Sequence, residues 1–212
     1  MNSMTFKRKL ADRAVAARVV LTLAEIGQLE KYFDLLARWS VRMNLTALPL
    51  DGLPDATIDR LFIEPLAAAR YVSKSPITWL DIGSGGGSPA IPLKVVRKEA
   101  RLTMVESRGR KAAFLREAVR TLELRGVDVL NARFEALCDP ASPNVSADLV
   151  TVRAVKADPG LIDLCRIALH AGGELLLFQS HAASGDAPAG FRHVRTVQLA
   201  EGPTFLDILK AI

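Results

Sequence analysis

A glycine-rich turn after a short apolar run holds the residue types that could do chemistry. Asp81 lies near the end of the run, and Gly83, Gly85 and Gly87 follow at intervals of two. Glycine tolerates positive φ and lets the backbone approach a bound molecule closely. Pro89 suits the first turn of a helix, whose free N–H groups would face the loop. The pattern predicts a strand, a tight turn and a helix start that together hold a nucleotide cofactor.

A nicotinamide or flavin dinucleotide is one cofactor that such a turn could bind. The spacing Gly85-x-Gly87-x-x-Ala90 matches the relaxed dinucleotide fingerprint, and Glu106 lies near the distance expected for a ribose contact. An acid at Asp81 would repel a pyrophosphate, however, and no downstream residues resemble a set for hydride transfer. The dinucleotide is therefore the less favoured alternative.

S-Adenosylmethionine is the other candidate, because it carries a sulfonium cation and an amino acid group but no phosphate. An acid such as Asp81 can then face the ligand, directly or through water. We expect the backbone of residues 83–87 to lie beside the amino acid group. We expect Glu106 to accept hydrogen bonds from the ribose hydroxyls. Phe134 and Glu135 would bracket the adenine. A helix dipole alone could also explain an acid at Glu106.

From Thr78 onward, the chain alternates short apolar runs with helical patterns, which is typical of a parallel sheet covered on both faces. The last two predicted strands are joined by a turn at 201–203 and predict an antiparallel hairpin at the sheet edge. The seven predicted strands are Thr78 to Ile82, Arg101 to Val105, Val127 to Leu130, Leu149 to Val152, Glu174 to Phe178, His193 to Leu199 and Phe205 to Ile212.

The first 77 residues predict a helical extension packed on a core domain of residues 78–212. Thr22 and Glu25 fit a capping box at the start of a helix that runs to about Arg42. A second helix covers about residues 56–72, and Pro65 would kink or split it. Residues 1–20 are basic, and we interpret them as a solvated, partly ordered tail rather than an arm that binds nucleic acid.

The length and composition of the chain fit one sizeable globular α/β protein. It has 212 residues, 50% of them hydrophobic, and a formal charge of +5. No apolar run reaches the length of a membrane span, and no convincing signal peptide is present, so we expect a cytoplasmic protein without membrane contact. Neither the two cysteines, Cys138 and Cys165, nor the three histidines show ligand spacing, so we expect no metal.

Five blocks of this sequence, in order, resemble the RsmG (GidB) methyltransferases. The block that generic methyltransferases lack is Trp39-x-x-x-x-Asn44-Leu45-Thr46. The others are Asp81 to Leu93, Glu106 to Arg116, Ala132-Arg133-Phe134-Glu135 and Val152-Arg153-Ala154.

The resemblance implies a Rossmann-like class I methyltransferase fold with bound S-adenosylmethionine. It also implies methylation of N7 of one guanine in 16S rRNA, with the rRNA or the 30S subunit as partner, and we expect a monomer. Together with the glycine turn and the strand ends, the cofactor-binding set is Asp81, Gly83, Ser84, Gly85, Ser88, Glu106, Phe134, Glu135 and Arg153.

Several positions depart from the pattern of the family that the chain resembles. Ser88 stands where the family has a bulky apolar residue, and Ala90 where it has glycine. Leu61 replaces a histidine, Glu64-Pro65 replaces an Asp-Ser pair, and Gln179-Ser180 replaces a Lys-Gly pair. A diverged methyltransferase for another RNA or a small molecule, and a non-catalytic RNA-binding relative, are therefore kept as alternatives.

Guanine N7 has a free lone pair and no proton to remove, so positioning and exclusion of water would supply most of the catalysis. Arg153 could reach guanine O6 or the cofactor carboxylate, or form a salt bridge at a strand end. Asn44 could form a hydrogen bond with the base or the cofactor, or it could have a structural role in a turn. A solvated helix face or a phosphate-contacting patch would account for Arg101, Arg108, Arg110, Lys111, Arg116, Arg120 and Arg125.

Overall fold

A single seven-stranded sheet organises the computed structural model, which describes residues 3–137, 146–153, 159–182, 187–200 and 204–212. The strands are β1 Thr78–Ile82, β2 Arg101–Val105, β3 Val127–Leu130, β4 Ala147–Arg153, β5 Leu169–Gln179, β6 Phe191–Leu199 and β7 Thr204–Ala211. The helices are α1 Ser3–Ala16, α2 Leu23–Ser40, α3 Asp55–Ile58, α4 Glu64–Ala68, α5 Ala90–Val96, α6 Gly109–Thr121 and α7 Pro159–Ala168. The predicted α/β class with a mainly parallel sheet is confirmed.

The strand order is β3-β2-β1-β4-β5-β7-β6. The strands β1 to β5 pair in parallel, whereas β7 is antiparallel to both β5 and β6, so the predicted hairpin lies at the sheet edge. The order reverses beside β1, because the chain builds outward to β3 and then continues on the other side of β1 with β4. In open α/β sheets, ligands bind at the carboxyl ends of the strands at such a switch point.

The alternation of side chains along β1 divides the core between the two faces of the sheet. Trp79 belongs to one apolar cluster with α1, α2 and α5, and Leu80 to another with α7. The first cluster joins residues on both sides of the predicted domain boundary at 77/78, including Tyr32 and Phe62. The division into an extension over 1–77 and a core over 78–212 stays a prediction.

The predicted solvated tail over residues 1–20 is wrong, because most of it forms helix α1. Phe6, Leu10 and Ala14 repeat at intervals of four and are buried. The ring of Phe6 stacks on Phe33 at 5.1 Å and meets Phe62 edge-on at 5.4 Å. This apolar spacing, rather than the basic residues between, is the sequence feature that predicts a packed helix.

The capping box is confirmed at the start of α2. The Thr22 hydroxyl accepts a hydrogen bond from the Glu25 amide at 3.2 Å, and the Glu25 carboxylate accepts one from the Thr22 amide at 2.8 Å. Two of the free N–H groups at the helix start are thereby satisfied.

Within the described ranges, no helix has the length and apolar character needed to cross a membrane.

The predicted second helix is split into short segments at Pro65. A π-helical turn, Asp59–Ile63, separates α3 from α4, and a 3₁₀ turn follows at Ala69–Tyr71. The Glu64 amide donates to the carbonyl of Asp59, five residues earlier, and Pro65 has no N–H to give to the carbonyl of Leu61. The turn therefore leaves backbone carbonyls available for partners outside the helix.

Candidate active site

A cavity of about 540 Å³ opens at the carboxyl ends of β1, β2 and β4. The 41–54 loop after α2 contributes Leu45, Thr46 and Leu48 to its wall, and the π-helical turn contributes Arg60 and Leu61. The predicted site residues that line it are Gly83, Ser84, Gly85, Ser88, Glu106 and Arg153. The structure therefore brings together six of the residues selected from the sequence.

The first half of the glycine turn needs glycine for its backbone conformation. Gly83 and Gly85 have φ values of 69° and 53°, which lie in the left-handed region. The amides of Gly83 and Ser84 both donate to the carbonyl of Val105, at 2.9 and 3.1 Å, and this closes the turn against β2. A Cβ on Gly85 would meet nothing nearer than the Gly83 carbonyl at 3.6 Å, so its outer side is open to a ligand.

The second half of the turn needs glycine because the 41–54 loop and helix α5 pack closely against it. A Cβ on Gly86 would lie 2.7 Å from the carbonyl oxygen of Leu45, and one on Gly87 would lie 2.5 Å from the Ile91 side chain. The buried hydroxyl of Tyr32 donates to the Gly86 carbonyl at 2.5 Å. Sequence reasoning assigned the whole turn to the cofactor and missed Tyr32, which the periodicity of α2 presents only as one more core residue.

Glu106 joins the turn to the end of β2. Its buried carboxylate accepts hydrogen bonds from the amide of Gly85 at 2.9 Å and from the amide of Arg108 at 2.8 Å. Each carboxylate oxygen can accept more than one hydrogen bond. Glu106 is therefore held rigidly at the cavity wall with acceptor capacity to spare, as the ribose role requires.

Arg153 is buried at the end of β4 in a network of fixed contacts. Its Nη2 donates to Glu64 Oε2 at 2.9 Å, and its Nη1 donates to the carbonyl of Arg60 at 2.5 Å and to Ser88 Oγ at 3.2 Å. The guanidinium also lies 4.3 Å from the centre of the Phe178 ring. Burial lowers the pKa of Arg153 to about 10. The salt bridge considered for Arg153 therefore exists, and Glu64 is its partner.

Asp81 lies beside the cavity but not on its lining. Its Oδ1 accepts a hydrogen bond from the Thr151 hydroxyl at 2.5 Å, and the Trp79 indole N–H donates to the same hydroxyl at 2.8 Å. Desolvation by burial raises the pKa of Asp81 to about 6. The carboxyl group therefore faces the interior between β1 and β4, where ionisation is costly without a cationic partner.

Besides Asp81, three predicted site residues do not line the cavity. Phe134 is buried in the same apolar cluster as Ile82, Glu135 is exposed, and Asn44 is exposed beside Leu45. Their roles stay predictions. Ala154, Cys138 and the predicted turn at 201–203 lie outside the described residues.

The donor set of this site fits S-adenosylmethionine. Two buried atoms near the strand ends, Asp81 Oδ2 and Arg153 Nε, have no hydrogen-bond partner in the described part of the chain. The amino acid group of this cofactor carries an ammonium and a carboxylate, which are the charges that an acid and a guanidinium would accept. The ribose hydroxyls match the acceptor capacity of Glu106. Among the described residues, no group of His, Cys, Asp and Glu could hold a metal ion.

Comparison with known proteins gives one family for most of the chain. The family model GidB, described as rRNA small subunit methyltransferase G, matches residues 25–197. A protein named ribosomal RNA small subunit methyltransferase G from Xanthomonas euvesicatoria pv. vesicatoria is 37% identical over 197 residues, which are 90% of this chain and 89% of that protein. The protein of the same name from Roseiflexus sp. is 36% identical over 79% of this chain and 70% of its own length.

Solved structures share the fold at low sequence identity. A SAM-dependent methyltransferase from Aquifex aeolicus superposes with a TM-score of 0.56 and 16% identity, covering 72% of this chain and 92% of that chain. A structure titled MtNAS in complex with S-adenosylmethionine gives a TM-score of 0.54 and 14% identity, over 96% of this chain and 72% of its own.

Proposed function

The chain belongs to the rRNA small subunit methyltransferase G family, and we propose on this basis that it transfers the methyl group of S-adenosylmethionine to N7 of a guanine in 16S rRNA. One observation carries the proposal. The glycine turn, Glu106 and Arg153 line a single cavity at the point where the strand order reverses. This is where an open α/β sheet binds its ligand.

Each of these predicted site residues has a defined part in holding the cofactor. The backbone of Gly83 to Gly85 lies beside the amino acid group, and Glu106 accepts hydrogen bonds from the ribose hydroxyls. Asp81 and Arg153 are paired with the ammonium and the carboxylate, because each has one buried atom still in need of a partner. Phe134 and Glu135 hold the adenine, as the resemblance implies.

The cofactor, when bound, supplies a methyl group on a sulfonium, and a neutral nucleophile can accept that methyl group. N7 of guanine has an in-plane lone pair and no proton, so the protein needs no general base for this target. Its residues instead orient the base and exclude water. Asn44 and the spare donor capacity of Arg153 suit O6 of the same base, the usual arginine partner on that edge.

The substrate and setting follow from the same proposal. The substrate is the small ribosomal subunit or its 16S rRNA, the enzyme is a cytoplasmic monomer, and the target guanine is presented where a base can leave its stack. The excess of basic residues, with a formal charge of +5, supports an RNA partner.

Methyl transfer to purified 30S particles that lack the modification tests this function. With labelled S-adenosylmethionine, we expect incorporation into 16S rRNA, and digestion followed by mass spectrometry should identify N7-methylguanosine. Label in another RNA or at another atom would indicate the diverged methyltransferase. Cofactor binding without any transfer would favour the non-catalytic relative.

A further inference from the structure

A second cleft, of about 770 Å³, lies between the end of α2 and the start of α6. Three arginines line it, Arg38, Arg42 and Arg110, and its apolar lining includes Trp39 and Val41. We call this the outer cleft. It is separate from the cavity that holds the glycine turn, and nothing in the proposed cofactor site uses its residues.

The outer cleft carries an uncompensated positive charge. All three arginines are exposed, and none forms an ion pair with a residue in the described ranges. The one acid on its lining is Glu117, whose carboxylate accepts the Trp39 indole N–H at 3.2 Å. Three cations therefore face a single carboxylate, and this excess favours an anionic ligand.

Helix electrostatics explain only part of this arrangement. Arg38 and Arg42 lie at the carboxyl end of α2, where the helix dipole favours cations. Arg110 instead lies in the first turn of α6, with Arg108 and Lys111 beside it and no acid in that turn. The Glu106 carboxylate accepts the Arg108 amide at this helix start. One acid beside three cations still leaves an excess of positive charge at a helix N-terminus, which the dipole disfavours.

Exposed apolar surface lies directly beside these charges. Val41 is 85% exposed, and Met43 is half-buried next to it on the cleft lining. The Trp39 ring is held edge-on against Phe114 at 5.8 Å, and its N–H is bound to Glu117. A rigid apolar floor with cations at its rim matches a nucleotide, whose base stacks on apolar surface while its phosphates meet arginine.

The outer cleft and the cofactor cavity meet at one helical turn. Arg108 and Lys111 line the cavity, and Arg110, which lies between them in the chain, lines the cleft. At 1.5 Å of rise per residue, these positions span only about one turn of α6. An RNA strand with one base in the cavity can therefore place a neighbouring nucleotide in the cleft.

We propose that the outer cleft binds a nucleotide of a single-stranded RNA segment that flanks the methylated base. The base lies on Val41, Met43 and Trp39, and the phosphates contact Arg38, Arg42 and Arg110. The inference rests on the proposed function for the identity of the RNA, but its binding step can be measured without methyl transfer.

The test is the binding of a fluorescently labelled single-stranded RNA of twelve nucleotides to the full chain, as a function of salt. The double variant Arg42→Gln/Arg110→Gln should bind about tenfold more weakly than wild type. Its plot of log affinity against log salt should be shallower by about 1.4, or about 0.7 for each lost phosphate contact on a single strand. Affinity for S-adenosylmethionine should not change.

The matched control is Arg120→Gln/Arg125→Gln, which removes two exposed arginines from the far end of α6 and the residues after it. We expect it to bind RNA within twofold of wild type. Val41→Ser should weaken RNA binding without changing the salt slope, because it alters the apolar surface of the outer cleft and leaves its three arginines in place. Equal losses in both double variants, or no RNA binding by wild type, would overturn the proposal. RNA binding at the cleft without methyl transfer would contradict the proposed function alone.

Discussion

Ser88 illustrates how a single residue on the cavity lining can connect two segments of the protein. Its hydroxyl donates to the carbonyl of Leu61 at 3.0 Å and accepts a hydrogen bond from Arg153. Pro65 has no N–H to donate to the Leu61 carbonyl, four residues earlier. A bulky apolar side chain at position 88 could not make this bridge between Leu61 and Arg153.

The ionisation of Asp81 gives the most specific prediction for a single residue, which concerns how stability depends on pH. Burial raises the pKa of Asp81 to about 6 from its ordinary value of 3.8, so between these pH values the folded state holds a proton that the unfolded state has released. Stability therefore falls as pH rises through this range. Asp81→Asn removes the ionisation and should stabilise the cofactor-free protein at pH 7.5, by about 1–3 kcal/mol.

Urea unfolding of both proteins at pH 4 and pH 7.5 measures this effect. The advantage of Asp81→Asn should be small at pH 4 and largest at pH 7.5, while its affinity for S-adenosylmethionine should be lower than that of wild type. The opposite signs follow from one cause, since the buried carboxylate is costly in the free protein and useful to a bound ammonium. An advantage independent of pH would exclude Asp81 as the titrating group.

Among the larger elements, the glycine turn is shared between the cavity and the 41–54 loop after α2. Gly86→Ala would place a Cβ 2.7 Å from the carbonyl oxygen of Leu45, and a backbone atom cannot move away cheaply. We expect a loss of about 1–3 kcal/mol in the free energy of unfolding. Weaker cofactor binding should accompany it, because the loop after α2 lines the same cavity.

Gly27→Ala is the control for this substitution. Gly27 lies within α2, and an added Cβ there meets nothing within 4 Å. The free energy of unfolding should rise by about 0.5–1 kcal/mol, because alanine is the better helix former. If the two alanine variants had the same stability in urea, the close packing of the turn on Leu45 would be wrong.

Helix α1 packs on the rest of the protein, so we expect substitutions on its buried face to lower stability. Phe6 is 2% exposed and contacts two aromatic rings, so Phe6→Ala should cost about 3–5 kcal/mol of unfolding free energy. Val15→Ala in the same helix, where the side chain is 76% exposed, should cost less than about 0.5 kcal/mol. Equal losses in urea unfolding would indicate that α1 does not pack on the core.

At the scale of the whole molecule, the sheet was predictable from local patterns and the site only in part. The first three strands match their predicted bounds, because short apolar runs between turn residues identify buried strands. The cavity residues Gly83, Glu106 and Arg153 follow from their places at strand ends. Their alignment at one edge is a property of any parallel sheet.

The parts that the sequence did not predict depend on contacts between distant segments. The bond of Tyr32 with Gly86 and the pairing of Glu64 with Arg153 join residues 54 and 89 positions apart. Neither pair has a local pattern, since Tyr32 follows the apolar periodicity of α2 and Glu64 begins a helix. The packing of α2 against the glycine turn and of α4 against the end of β4 creates both, and only the folded chain reveals them.

Titration calorimetry measures whether the cavity beside the glycine turn binds S-adenosylmethionine. Wild type should bind the cofactor at one site, and Glu106→Gln should weaken binding about 10- to 100-fold, because hydrogen bonds to a charged acceptor contribute about 1.5–3 kcal/mol. Asp128→Asn, which changes an exposed acid on β3, should bind like wild type. Absence of binding by wild type, or equal affinity in Glu106→Gln, would contradict the account.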